Sequence, residues 1–229
     1  MFNRFAAPAR IVLIYEMKDF FYISIASILL VSTYSCDKIE GCMDNSACNY
    51  NEQATSDDGS CEFPQPEYDC NGILLIEPYI GMEALGGIVF YIDNTGQNGL
   101  VAAFEDLSGT YEWGCLGLEV GNFSTGLENT INIIDQGCLP ESGGVIAAQA
   151  CFDFTYGLYD DWYLPSNGEL QLLNGANDAA IVAMADYYYW SSSETSINNS
   201  KCIHFGMGGG EMYSHIKSST YSVRPIRSF

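Results

Sequence analysis

Asp160-Asp161-Trp162-Tyr163-Leu164-Pro165-Ser166-Asn167-Gly168-Glu169-Leu170 is the most sharply punctuated stretch of the chain. Trp162, Tyr163 and Leu164 are strand formers. Pro165 has no N–H and a fixed φ, so it ends a ladder. Ser166 then stands as an N-cap with Glu169 three residues on, the spacing of a capping box. Leu170, Leu172 and Leu173 supply the apolar face of a short helix. The stretch therefore reads as strand, turn and helix start, with Trp162 and Leu164 entering a core.

Upstream, Gly86–Asp93 and Leu100–Phe104 read as the two strands of a hairpin turned by Asn94–Gly99, and Tyr111–Gly114 as a third short strand. Residues 114–141 are rich in Gly, Asn and Thr, with Cys115 and Cys138 at their ends. That composition predicts a long loop clipped by a disulfide, with a helical turn over Asn129–Ile134. Val145–Tyr156 carries the Ala-rich, one-sided pattern of a helix. Downstream, Asp178–Ala185 reads as a short apolar helix and Tyr187–Glu194 as an aromatic strand. Lys201–Phe205 and Glu211–Ile216 form a hairpin about Gly206–Gly210, and Tyr221–Arg227 closes the chain as a strand. Two or three short helices beside an irregular antiparallel sheet make an α+β domain.

The N-terminus reads as an export signal. Met17-Lys18-Asp19 precedes the apolar run Phe20–Val31, then small and polar residues lead to Ser35-Cys36. The run is shorter than the ~20 residues a membrane-spanning helix needs. A Cys after a small residue resembles a bacterial lipobox, which implies diacylation of Cys36 and cleavage before it. Met17 is then the better start than Met1. Residues 1–35 form the signal peptide, 36–40 a tether, 41–72 a Cys-rich module and 80–229 the head.

Nine cysteines leave eight once Cys36 is lipidated, an even number suited to an oxidising compartment. Cys115 and Cys138 pair across their loop, while Cys151 is either the partner of Cys202 or a buried free thiol. The module Gly41–Cys70 holds Cys42, Cys48, Cys61 and Cys70 but almost no aliphatic side chains. It needs staples to fold, and three pairings are open. Phe63–Glu67, with two prolines, reads as a stiff linker. Asp44, Asp57, Asp58 and Asp69 could gather Ca²⁺, the one cofactor the chain suggests, or simply cap turns.

A formal net charge of −21 argues against nucleic acid, and against membrane contact beyond the N-terminal lipid, because both polyanions are bound by Lys and Arg. The head carries only Lys201, Lys217, Arg224 and Arg227, with His204 and His215.

Two resemblances follow from these residues. The module string Gly41-Cys42, Asp44, Ala47-Cys48-Asn49-Tyr50, Ala54-Thr55 and Asp57-Asp58-Gly59-Ser60-Cys61 resembles a short repeat of secreted proteins of marine and gliding bacteria, where it serves as spacer or stalk. In the head, Gly86–Asp93, Gly99–Ala103, Asp161–Leu170, Tyr189–Glu194 and Val223–Arg227 occur in the order of one family, the C-terminal domain of the Legionella collagen-like adhesin. That resemblance implies a C-type-lectin-like fold, distantly similar to formylglycine-generating enzymes. It also implies adhesion to sulfated glycans by a homo-oligomer at the cell surface.

The functional expectation is an exported lipoprotein of the bacterial cell envelope, outer membrane or surface, whose head contacts an extracellular glycan or protein. The alternative is a structural envelope component without a specific ligand. The ligand residues expected are Trp113, beside the Gly-rich loop, and Lys201, His204, His215 and Lys217. Trp162, Leu164, Pro165, Ser166, Glu169, Trp190, Arg224 and Arg227 are assigned to structure. One of the two arginines should pair with Glu194 or Glu169. Catalysis has no motif: Gly-x-Ser-x-Gly is missing and only two His are present.

Overall fold

The computed structural model describes residues 38–123, 125–206 and 210–229. The signal peptide, Cys36 and Asp37 lie outside them. Among the described residues of Ile39–Phe229 the core is built from three antiparallel sheets and three helices.

The first sheet has the order β1-β2-β3-β9, with β1 at Glu83–Ala84, β2 at Gly87–Ile92, β3 at Gly99–Ala102 and β9 at Ile226–Ser228. The expected hairpin β2–β3 is there, and its interior strand β3 is buried at every position, as a strand covered on both faces must be. The second sheet is the pair β4 (Tyr111–Glu112) and β8 (Thr220–Tyr221). The third has the order β5-β6-β7, with β5 at Tyr188–Glu194, β6 at Asn199–His204 and β7 at Met212–Ile216. The closing strand expected over Tyr221–Arg227 is split into β8 and β9, which serve different sheets.

The Asp160–Leu170 stretch makes less strand and more corner than its residues suggest. Only Tyr163 bridges, to Ile226, and its N–H and C=O both bond that residue. Trp162 and Leu164 are fully buried. Ser166 Oγ accepts from Glu169 N–H, and the Glu169 carboxylate accepts from Ser166 N–H, which starts helix α3 (Asn167–Asp178). Glu169 Oε2 also accepts from Gly126 N–H at 2.9 Å. Gly126 opens helix α1 (Gly126–Asp135), so one carboxylate satisfies orphan donors at two helix starts. A side chain on Gly126 would collide with Glu169 and the Leu164–Ser166 backbone.

Helix boundaries differ from expectation in three places. Helix α1 runs ten residues where only a turn over Asn129–Ile134 is expected, because Thr125 caps its start by accepting from Glu128 N–H. Helix α2 spans only Ala147–Phe152, because Gly143 and Gly144 take positive φ before it and Asp153 ends it. Asp178–Ala185 is not a helix. Helix α3 already runs to Asp178, Ala180 takes φ +55°, and Asn177 Oδ1 accepts from Met184 N–H to close the turn. Val182 is nonetheless buried.

In the module, Cys42 bonds Cys61 and Cys48 bonds Cys70. Each closes a loop of about twenty residues, worth roughly 3 kcal/mol in chain entropy. Cys115 bonds Cys138. Cys151 and Cys202 are not a disulfide: both are free, both are buried in one cluster with Trp113 and Trp190, and each acts as a small apolar filler. Phe63–Glu67 is no free linker either. Tyr159 Oη donates to Pro66 O and to the Glu67 carboxylate, and Tyr68, Leu74 and Ile76 pack against Trp162, Val89 and Val101. The module is held on the head by the same cluster that buries the Trp162 ring.

Candidate functional site

The Tyr187–Glu194 segment alternates sides as a strand does, which carries Tyr188 and Trp190 to one face of the third sheet and Tyr189 to the other. Register places His204 opposite Tyr188, Cys202 opposite Trp190 and Tyr213, and Ser200 opposite His215. The same face therefore collects Tyr188, His204, Tyr213 and His215. Tyr221 of β8 joins them from the second sheet, 5.1 Å from the Tyr188 ring centroid.

Tyr188 is the centre of this cluster. His204 meets it edge-on at 4.5 Å, Tyr213 edge-on at 5.3 Å and His215 tilted at 4.9 Å. Tyr221 reaches inward to Trp190 at 4.6 Å, so the cluster is continuous with the core. Such edge and tilted pairs are each worth about 0.5–1.5 kcal/mol beyond area burial. Tyr221 Oη and His215 Nδ1 share a hydrogen bond, and burial holds the His215 ring below its ordinary pKa. Tyr221 is shifted the other way by burial.

A cleft of about 460 Å³ opens beside this cluster, lined by Thr110, Tyr187, Tyr188, His204, Tyr221 and Ser222. Tyr187 is 63% exposed at its rim. His204 Nδ1 accepts from Gly206 N–H at 3.2 Å, which puts the proton of the neutral ring on Nε2. Asp186 Oδ1 stands 3.6 Å from the same Nδ1, beyond hydrogen-bond reach, and its side chain is 75% exposed. Gly206 permits this approach, since a Cβ there would overlap the Asp186 carboxylate. Aromatic faces interleaved with hydroxyls and one ring N–H suit a polyhydroxylated ligand that stacks and hydrogen-bonds at once.

A second cleft, of about 630 Å³, lies at the corner of the Asp160–Leu170 stretch, lined by Tyr91, Leu127, Tyr163, Glu169, Leu172 and Phe229. Its one charged lining group is Glu169, which is engaged by Ser166, Gly126 and, at 3.3 Å, Tyr163 Oη.

The structure sorts the expected ligand residues sharply. His204 and His215 are brought together around Tyr188. Trp113 is not exposed: it is 1% accessible, with its indole N–H donating to Ser191 O at 2.8 Å. Trp190 and Trp162 are equally buried, their N–H groups bonded to Tyr111 O and Tyr159 O. Lys217 is not a surface cation. Its Nζ is fully buried, 2.7 Å from Glu194 Oε2, 2.9 Å from Leu118 O and 4.5 Å from the Trp113 ring centre. Glu194 Oε1 accepts from Val120 and Gly121 N–H, so the pair holds the Gly-rich loop. Lys201 sits three residues from His204 on β6, which places the two on opposite faces.

Neither Arg pairs with Glu194 or Glu169. Arg224 bonds Asp106 at 2.6 Å and three backbone carbonyls. Arg227 grips Asp161 through Nε and Nη2 at 2.6 and 2.8 Å, and lies 4.3 Å over the Tyr159 ring. Asp106 and Asp161 both stand in irregular segments outside any strand, so strand periodicity does not reveal them. Tyr187, Tyr188 and Tyr221 read in the sequence as ordinary strand aromatics; the run of three Tyr at 187–189 is the signal that marks them out.

The four module acids do not converge. Asp44 accepts from Ser46, Asp57 from Gly59, Asp58 from Ser60 and Asp69 from Asn71 and Ile73, each within its own turn. Among the described residues no group of three or more His, Cys, Asp or Glu is placed to hold a metal ion. No helix among them is long and apolar enough to cross a membrane.

No family model matches the chain, and no curated protein matches it. Among solved structures it aligns with a fimbrial protein from Bacteroides ovatus, at 16% identity and a TM-score of 0.45, over 78% of this chain and 50% of that one. The chain thus spans half the length of that protein.

Proposed function

We propose that this chain is an exported binding protein, tethered to the envelope by lipid on Cys36, whose C-type-lectin-like head contacts an extracellular glycan. The observation that carries the ligand site is the cleft rimmed by exposed Tyr187 and floored by Tyr188 and Tyr221, backed by a ring cluster that reaches the core. A rigid, pre-packed aromatic floor spends little side-chain entropy on binding. Disulfides in module and head suit an oxidising compartment. Adhesion by a surface protein is the reading that joins these features.

Nucleophilic catalysis has little to work with. His204 engages Gly206 and His215 engages Tyr221. The Ser191 hydroxyl is spent on Lys201 O, and burial pushes the Cys202 thiol up to about 12.

The test is binding of the purified full chain to an immobilised glycan panel, with Tyr187→Ala as the site control. A Cys36→Ala variant should in parallel lose fatty-acid label. A second reading is a structural envelope component without a specific ligand. Silence on the panel together with concentration-dependent self-association in light scattering would favour it over the first.

A further inference from the structure

Resting on the reading that the Tyr187–Tyr188–Tyr221 cleft takes a glycan, we propose that it selects uncharged sugars and rejects sulfated, phosphorylated or carboxylated ones. An anionic group on a ligand needs a cation or a cluster of N–H donors to replace its water, and without one its desolvation opposes binding.

The head has four cations from residue 80 onward, and each is accounted for. Lys217 is sealed inside against Glu194. Arg224 and Arg227 are buried against Asp106 and Asp161. Lys201 projects from the face of β6 opposite His204 and shares that side with Ile203, which is buried in another cluster. None of the four lines the cleft.

The lining holds no Lys, Arg, Asp or Glu. Thr110, Thr220 and Ser222 offer hydroxyls that donate and accept, and the Tyr rings offer faces for the C–H side of a sugar ring. The exposed Asp186 carboxylate stands by the His204 ring at one end. It adds a local negative charge to a chain whose formal charge is −21, so approach of an anion is opposed at long range as well as at contact. The resemblance to an adhesin of sulfated glycans thus does not extend to its ligand class, because three of the four cations that would serve it are held in the core as struts and the fourth, Lys201, lies on the other face of β6.

A panel that prints the same glycan backbones in neutral, sulfated and sialylated forms tests this with the full chain, at low and at high salt. The expected result is binding to neutral forms only, changing less than about twofold with salt, and about tenfold weaker in Tyr187→Ala with an unchanged melting temperature. Preferential capture of sulfated or sialylated forms, weakened by salt, would overturn the charge selectivity while leaving glycan binding in place. Silence across every form would overturn both. Neutral binding untouched by Tyr187→Ala would place the site elsewhere and overturn the assignment to this cleft.

Discussion

The Lys217 ammonium and the Glu194 carboxylate meet at 2.7 Å inside the protein, both shielded from solvent. Twenty-three residues separate them, and between them they hold four backbone groups of the loop 115–121: Cys115 O, Leu118 O, Val120 N and Gly121 N. Cys115 and Val120 of this loop are buried while Leu116 and Leu118 stay exposed, and charge-assisted hydrogen bonds add to that partial burial in anchoring it.

Removing one partner leaves the other charge buried. Lys217→Met and Glu194→Gln should each cost about 3–5 kcal/mol in denaturant unfolding. The double variant Lys217→Met with Glu194→Gln should cost clearly less than the sum, giving a coupling of about 1–3 kcal/mol. Additive losses would mean that the two side chains do not act as a pair.

Trp162→Ala should lower stability by about 3–5 kcal/mol, because it opens a cavity beneath both the head sheet and the docked module. The readout is urea unfolding, with limited proteolysis around residues 63–79 reporting release of the module. A Trp162→Ala protein as stable as the parent, and defective only in ligand binding, would refute the scaffold role.

Cys151 and Cys202 should be silent to thiol reagents in the native protein and react after unfolding without reductant. Burial raises both thiols above their ordinary pKa, which removes the reactive thiolate. Mass spectrometry of the alkylated chain should find these two residues labelled and the six disulfide cysteines unlabelled. Rapid native labelling of either would show that its surroundings are open.

His215 has a folded pKa depressed by burial, so the unfolded chain binds the proton more readily. The contribution is fully present above the unfolded value of about 6.5 and is lost as pH falls through the lower folded value. The melting temperature should therefore decline on acidification below about pH 6.5, with a shallower decline in His215→Asn. Equal slopes for parent and variant would remove His215 as a source of the pH dependence.

The start of α3 shows what was legible in the residues alone. A capping box is local: Ser166 and Glu169 are three residues apart and serve each other's backbone, so spacing suffices to find it. The hairpin β2–β3, the disulfide of Cys115 with Cys138 and the burial of Trp162 were legible for similar reasons, resting on short-range pattern or on bulk hydrophobicity. The same local reading overran at Asp178–Ala185, where Ala and Val favour a helix but Asn177 and a left-handed Ala180 end it.

The candidate site was only half legible. His204 and His215 were found because titratable side chains stand out in so acidic a chain, while Trp113 and Lys217 were misplaced to the surface. What moved them inward is pairing across 104 residues between Lys217 and the ring of Trp113, and across 23 between Lys217 and Glu194, in a fold that brings both to one wall. By itself the sequence determined secondary structure where caps and alternation are short-range, the need for staples in a coreless module, and a charge that disfavours polyanions. Only the tertiary structure decided which cations are struts, which thiols stay free, and that Tyr188, Tyr221, His204 and His215 share one face, because those outcomes depend on register between strands that no local pattern records.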